Sequence, residues 1–466
     1  MFRYWFIFFL LLFQITFSQR EDFPLINCYT IAVGKDASSL RCVLLAHNED
    51  DGGNLIVNMY KVPRIKFSQN DSVTLTTGIK ISQAKETNSM FWLETTQQNF
   101  GDLFMNEYGI TICSNACSSK EKQSIGNIGY DLRRIVAERA HTAKEGVKIA
   151  AQLVETLGYA SSGRTYCIAD ANEIWIMAIV QGTHWIAERV PDNKIAIVPN
   201  YYTIGEINLQ DTSNFLGSKD IISYAITQGW FNPTSEKSFN FREAYSSTQN
   251  LYAIWNIPRH WSGINRLSNQ EYNFYDTFPF AFSPKEKISK DALMKVLSSH
   301  YEGTDFETNT LLRENAHDGI IARICNNSTK FSVIAQIQSD SSKNNFNILW
   351  WAPLNPCIHP YIPIYFVIDS IPVQYQNCSA DKALYHHFDK QTNTFEANPL
   401  HAYTIFKRYN DTINKHYWKK VSEAEKFKTQ MDIEIQRKFF SKELNYSKIS
   451  YDLLLELYQK EKNIEK

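Results

Sequence analysis

The chain has 466 residues, 44% hydrophobic and 14% aromatic, with 18 Gly and 14 Pro. It is too apolar for a disordered chain and too poor in Gly and Pro for a fibrous or low-complexity one. Lys plus Arg number 48 against 49 Asp plus Glu, a net charge of −1, which argues against a nucleic-acid binder with a broad basic face.

In chain order, Arg3 is followed by a mostly apolar run, Tyr4 to Phe17, broken only by Gln14 and Thr16. A membrane helix needs roughly 20 residues, so the run predicts a signal peptide over 1–19, with a retained anchor as the alternative. Residues 20–27 form a polar spacer before the folded domain. An exported chain follows, periplasmic or secreted, with no stable membrane span after signal removal. Residues 28–390 are expected to form the main domain.

Cys28 to Val33 is β-branched and reads as a strand, Gly34 to Ser38 as a turn, and Val43 to Ala46 as the returning strand. His47-Asn-Glu-Asp-Asp-Gly-Gly53 predicts a polar loop. Asn106 to Gly109 predicts a turn feeding a strand from Ile110 to Cys113. Asp131 opens a helix with Leu132, Ile135 and Val136 on one face. Thr142 and Glu145 fit a capping box for a second helix that stops at Gly158. Strands return from Thr165 to Asn200, with turns at Gln181-Gly182 and Asp192-Asn193. This order suggests α+β layering rather than a βαβ repeat. The segment 391–466 is a charged helical extension, without Gly or Pro from residue 401 onward. Its helices are expected to be amphipathic and solvent-facing, docked on the domain or pairing with a partner.

The sequence contains no GxxxxGK[ST], GxGxxG after a strand, HExxH or GxSxG motif. Eight cysteines lie at 28, 42, 113, 117, 167, 325, 357 and 378. Cys113 and Cys117 have no answering pair, so zinc is a weak reading there and buried thiols are the default. The adjacent His386 and His387 lack a carboxylate at ligand spacing. No metal is assigned.

Cys28 has the clearest chemical logic. With residues 1–27 removed it becomes the first residue, and its α-amine, with a reference pKa of about 7.7–8.0, can take the thiol proton. The thiolate attacks a carbonyl, and the amine returns the proton to the leaving group. A carboxylate must hold the amine, and amide donors must stabilise the oxyanion.

NCYTIAVGKDAS followed by AHNEDD resembles the opening of the dipeptidase/secernin family, cysteine peptidases of the N-terminal-nucleophile (Ntn) hydrolase superfamily. NEYGITICSNACSS, GYDLRRIVAERAHTAKEGVKIAAQLVETLGY, RTYCIADANEIWIMAIVQGTHWIAERV and IAIVPNYYTIGEINL continue the likeness to about residue 270. It runs more weakly to about 380 and does not cover the tail. The resemblance implies a four-layer αββα sandwich of two antiparallel sheets. It also implies an amide hydrolase acting on dipeptides or other small amides, without a cofactor. It assigns Cys28 as nucleophile, Asp50 as the carboxylate on its amine and Asn115 as an oxyanion-hole amide. Asn200 falls near the substrate, and Arg259 or Arg266 would supply a cation for a substrate carboxylate. His47 stands where relatives often carry Arg, and is either a substrate-site group titrating near neutral pH or a buried structural side chain. Maturation is expected by signal peptidase followed by self-cleavage at Asn27–Cys28. The alternatives are an acylase of penicillin V or bile-salt hydrolase type, a non-catalytic binding protein retaining the fold, and a protein lipid-anchored at Cys28. Homo-oligomerisation stays open.

Overall fold

A computed structural model describes residues 28–464, except 54, 97–100, 123–124, 308–314, 318–320, 339–346, 390–397 and 440–444. The predicted signal segment and spacer, residues 1–27, lie outside the described residues.

The first sheet is six-stranded. Its strands are β1 (Tyr29–Val33), β2 (Val43–Asp50), β10 (Ile195–Val198), β12 (Thr329–Ile337), β13 (Ile348–Pro353) and β14 (Ile362–Tyr365). They lie in the order β10-β1-β2-β12-β13-β14, and every pair is antiparallel. The second sheet is eight-stranded. It contains β3 (Val57–Val62), β4 (Met90–Thr95), β5 (Leu103–Asn106), β6 (Thr111–Ala116), β7 (Tyr159–Ala169), β8 (Ile174–Gly182), β9 (Trp185–Val190) and β11 (Phe215–Gly217). Its order, β11-β9-β8-β7-β6-β5-β4-β3, follows the chain, with long connections before β4, β7 and β11.

Period-two alternation divides each sheet between two cores. Ala32, Val43, Leu45, Val333 and Trp351 of the first sheet face Met59, Leu93, Cys113, Ile176 and Ala178 of the second. On the far side of the first sheet, Ile31, Leu44, Ala46 and Ile334 pack on helices α3 (Ile257–Leu267) and α4 (Lys290–Leu297). On the far side of the second, Trp92, Ile112, Ile168 and Met177 pack on α1 (Asp131–Arg139) and α2 (Ala143–Leu157). The result is the αββα sandwich that the family resemblance implies.

The local signals act as the sequence suggests. Thr142 caps α2 by accepting from the Glu145 N–H at 3.1 Å. The Glu145 carboxylate reaches one residue further back than a capping box requires and accepts from His141 N–H. Gly109 turns the chain into β6 at φ +79°, where a side chain would also meet Ile337 and Asn347.

One expectation fails. His47 to Asp50 is not a loop but the buried end of β2. Polarity argued for a loop, yet β1 and β12 flank this segment on both edges and supply its backbone partners. His47 and Glu49 bond each other, and Asn48 Nδ2 donates to the carbonyls of Leu297 and Ile324.

The C-terminal residues form α5 (Ala402–Asn414), α6 (Tyr417–Phe439) and α7 (Tyr446–Ile464). Their stripe of Phe406, Tyr409, Ile413, Met431, Leu453 and Leu457 joins the inter-sheet core. Tyr365 N–H donates to Ser450 Oγ at 2.9 Å, fixing α7 beside β14. No helix among the described residues is long and apolar enough to cross a membrane.

Candidate active site

The start of β1 and the end of β2 lie side by side. Tyr29 pairs with Asn48 and Thr30 with His47, so Cys28 falls opposite Glu49. Alternation turns Cys28, Thr30, His47 and Glu49 toward the second sheet, while Tyr29 and Asn48 face the α3/α4 layer. All of these residues are buried, with Cys28 fully so.

These inward side chains form one chain of hydrogen bonds. The Cys28 thiol donates to Glu49 Oε1 at 3.2 Å and lies 3.8 Å from the Asp50 carbonyl. Glu49 Oε2 lies 2.9 Å from His47 Nε2, and His47 Nδ1 lies 2.7 Å from Thr30 Oγ1. Thr30 donates to Asn115 Oδ1 at 2.7 Å, and Asn115 Nδ2 donates to the Val198 carbonyl at 3.0 Å. The Val198 carbonyl fixes which end of the Asn115 amide is the donor. Thr30 has one hydroxyl proton and gives it to Asn115, so His47 Nδ1 must carry a proton. Glu49 accepts at both oxygens, so His47 Nε2 carries the other.

His47 is therefore an imidazolium. Burial pulls its pKa down, but the Cys113 thiolate, itself lowered to about 5, and the Glu49 carboxylate outweigh this and hold it at about 10. Burial pushes the Cys28 thiol well above its usual range, and Glu49, Asp51 and Asp50 push it further. A buried thiol bonded to Glu49, with Asp50 and Asp51 close by, does not ionise unaided, so nucleophilic chemistry here requires a base.

Asp50 turns away from the thiol. Its Oδ2 accepts from Asn326 Nδ2 at 2.5 Å, whereas its Oδ1 is buried with no hydrogen-bond partner among the described residues. Burial raises its pKa to about 7, against the lowering effect of hydrogen bonds from Thr329 and Asn326 and of the Arg259 charge. A carboxylate oxygen without a donor beside the start of β1 is a receptor for a cationic group.

Arg259 reaches in from α3. It donates to the Cys28 carbonyl at 3.1 Å, Asn200 Oδ1 at 2.8 Å, Asn256 Oδ1 at 3.0 Å and the Trp255 carbonyl at 2.5 Å. Asn200 Nδ2 donates to the Ala116 carbonyl at 3.0 Å, so this fork links β1, the end of β6 and the segment after β10. Arg266, the other candidate cation, pairs instead with exposed Glu302. Cys28, His47, Asp50, Asn115, Asn200 and Arg259 thus converge on one buried region.

Sequence reasoning passed over Glu49, Thr30, Asn256 and Asn326. Glu49 was legible, because two-residue alternation from His47 puts it on the face of β1 and β2 that carries Cys28. Asn256 and Asn326 come from distant loops and gave no local signal. The Cys113–Cys117 pair forms no donor cluster. Cys113 stands opposite Cys167 across β6 and β7, and Cys117 takes a hydrogen bond from Thr165. His387 is buried against Asp102 at 2.5 Å.

A cavity of about 290 Å³ opens beside this region. Tyr201 and Ile257, chain neighbours of Asn200 and Asn256, line it together with Tyr252, Phe274 and Phe278.

Comparison with known proteins agrees with the resemblance. The model of peptidase family C69 matches residues 27–420. A dipeptidase of Bifidobacterium longum is 26% identical over 397 residues, covering 74% of this chain and 72% of the relative. Dipeptidase A of Lactobacillus helveticus is 25% identical over 371 residues, covering 75% and 77%. Among solved structures, penicillin V acylase from Agrobacterium tumefaciens aligns over 72% of this chain and 86% of its own. That alignment has 11% identity and a TM-score of 0.34.

Proposed function

The chain belongs to peptidase family C69, and on that premise we propose that it is an exported dipeptidase whose nucleophile is an N-terminal Cys28. The observation that carries this reading is the convergence at Cys28. Its thiol is held by Glu49 and its carbonyl by Arg259, beside a buried Asp50 oxygen without a donor. The curated relatives are named dipeptidases, which supports a dipeptide as substrate.

Signal peptidase first removes the leader. The Cys28 thiol then attacks the Asn27 carbonyl, the 27–28 amide bond breaks to free the α-amine, and water hydrolyses the resulting thioester, releasing the spacer as a carboxylate and restoring the thiol. The Asp50 carboxylate holds that amine against the start of β1. The amine takes the thiol proton, and the thiolate attacks the scissile carbonyl of the dipeptide. The tetrahedral oxyanion is stabilised by the remaining Asn115 amide hydrogen and backbone N–H groups. The ammonium protonates the leaving amino acid, and a thioester forms at Cys28. Water, deprotonated by the same amine, then hydrolyses the thioester and regenerates the thiol. The Glu49–His47 pair keeps its internal charge balanced while the nucleophile's charge changes. The aromatic cavity beside Asn200 suits apolar side chains of the substrate.

The test is a dipeptide panel on the processed chain beside a Cys28→Ala variant. Hydrolysis by the parent and none by the variant supports the reading. Equal rates exclude it.

A further inference from the structure

A second cluster of chemically active side chains lies outside the candidate active site. His300 follows α4, His317 and Cys325 lie in the connection to β12, and Cys357 follows β13. One donor atom from each of the four lies within 4.8 Å of every other. His317 Nε2 is 3.2 Å from Cys357 Sγ and 3.5 Å from Cys325 Sγ. The Nδ1 of His300 bonds Glu302 Oε1 at 3.1 Å, while its Nε2 is buried without a hydrogen-bond partner among the described residues. His300 and His317 are 6% exposed and Cys325 is fully buried.

We propose that His300, His317, Cys325 and Cys357 form a closed tetrahedral zinc site. With Zn–S near 2.3 Å and Zn–N near 2.0–2.1 Å, a tetrahedron has ligand–ligand edges of about 3.3–3.8 Å. The His317 separation from Cys325 lies within that range and the one from Cys357 lies about 0.1 Å below it. Two thiols and two imidazoles select a borderline-soft ion and disfavour calcium or magnesium, which take oxygen ligands. All four positions come from the chain, which leaves none open for water and makes the site structural.

The surroundings have the form of an outer shell. Glu302 fixes the tautomer of His300 so that Nε2 faces inward, as carboxylates behind metal-bound histidines do. Asn355 Nδ2 lies 3.7 Å from Cys325 Sγ, and Lys428 Nζ donates to the Cys357 carbonyl at 3.1 Å. The Tyr417 ring packs on both histidines. The ion would staple three loops together beneath α6. One of them carries Asn326, next to Cys325, which holds Asp50. This inference does not rest on the peptidase mechanism.

The test uses the full chain produced in zinc-supplemented medium and purified without chelator. Elemental analysis should find about one zinc per chain. Cys378→Ser, outside the cluster, should keep the metal, and Cys357→Ser combined with His317→Ala should lose it. Glu302→Gln should weaken zinc affinity by about 10- to 100-fold. Because the double variant can misfold, the parent chain supplies a second readout. Stripped and reloaded with cobalt(II), it should show thiolate-to-cobalt charge transfer and tetrahedral d–d bands. A purified chain without stoichiometric zinc that also binds no cobalt would overturn the proposal. So would peptide mapping that finds Cys325 and Cys357 joined as a disulfide.

Discussion

Arg259→Lys keeps a buried positive charge but removes the fork that ties Cys28 to Asn200. The guanidinium satisfies four buried oxygens, those of Trp255, Cys28, Asn200 and Asn256. An ammonium on a flexible stem cannot span them, and at least two lose their donor. Hydrogen bonds to charged groups contribute about 1.5–3 kcal/mol each. Losing two therefore removes roughly 3–6 kcal/mol, a large part of the 5–15 kcal/mol typical of a folded protein. The start of β1 would also lose the donor on the Cys28 carbonyl, and a displacement of about 1 Å at a reacting atom costs on the order of 10²-fold in rate. The assay is a urea midpoint together with kcat and KM for a dipeptide and for the C-terminal amide of the same dipeptide. The variant should be folded but less stable, with kcat lowered about 10²-fold on both substrates and KM little changed. A rise in KM confined to the free dipeptide, with kcat unchanged, would refute this reasoning and assign Arg259 to the substrate carboxylate.

Three further outcomes follow from the same geometry. Cys28→Ala should fold with nearly parental stability and lose turnover, checked by circular dichroism and dipeptide hydrolysis; residual parental activity would remove Cys28 from the mechanism. Glu49→Gln leaves the His47 imidazolium without its carboxylate and should destabilise the fold by roughly 3–5 kcal/mol, the loss typical of a broken buried pair, read from denaturant unfolding. His47 is held at about 10 in the fold against 6.5 as its ordinary value, so the folded chain keeps a proton that the unfolded chain releases between them. Its stabilising contribution is full below pH 6.5 and is lost as pH rises through 10. The stability difference between the parent and His47→Gln should shrink across that window, and a difference independent of pH would show that His47 is neutral in the fold.

The strands and helices that position the site were largely legible because their signals are local. The β1 turn at Gly34, the Asn106–Gly109 turn and the Thr142 cap each occupy a few consecutive residues. The end of β2 was not, because His47 to Asp50 looks like a solvated loop until β12, almost 300 residues away, pairs with it. The same kind of distance hid Asn326 from Asp50 and Arg259 from the Cys28 carbonyl. His300, His317, Cys325 and Cys357 follow no short ligand spacing, so only the loops that bring them together reveal a cluster. The C-terminal helices showed their apolar stripe in the sequence, but their place in the inter-sheet core depends on β14 and on the connection that precedes them.

The most direct test of the central claim is the N-terminal sequence and intact mass of the mature protein recovered from its native cells, set beside its dipeptide-hydrolysing activity. The account predicts a chain that begins with a free, unmodified Cys28 and activity in proportion to that species. Full activity in a chain that still carries residues before Cys28, or that bears a lipid on it, would contradict the account, because the α-amine could not then serve as the base.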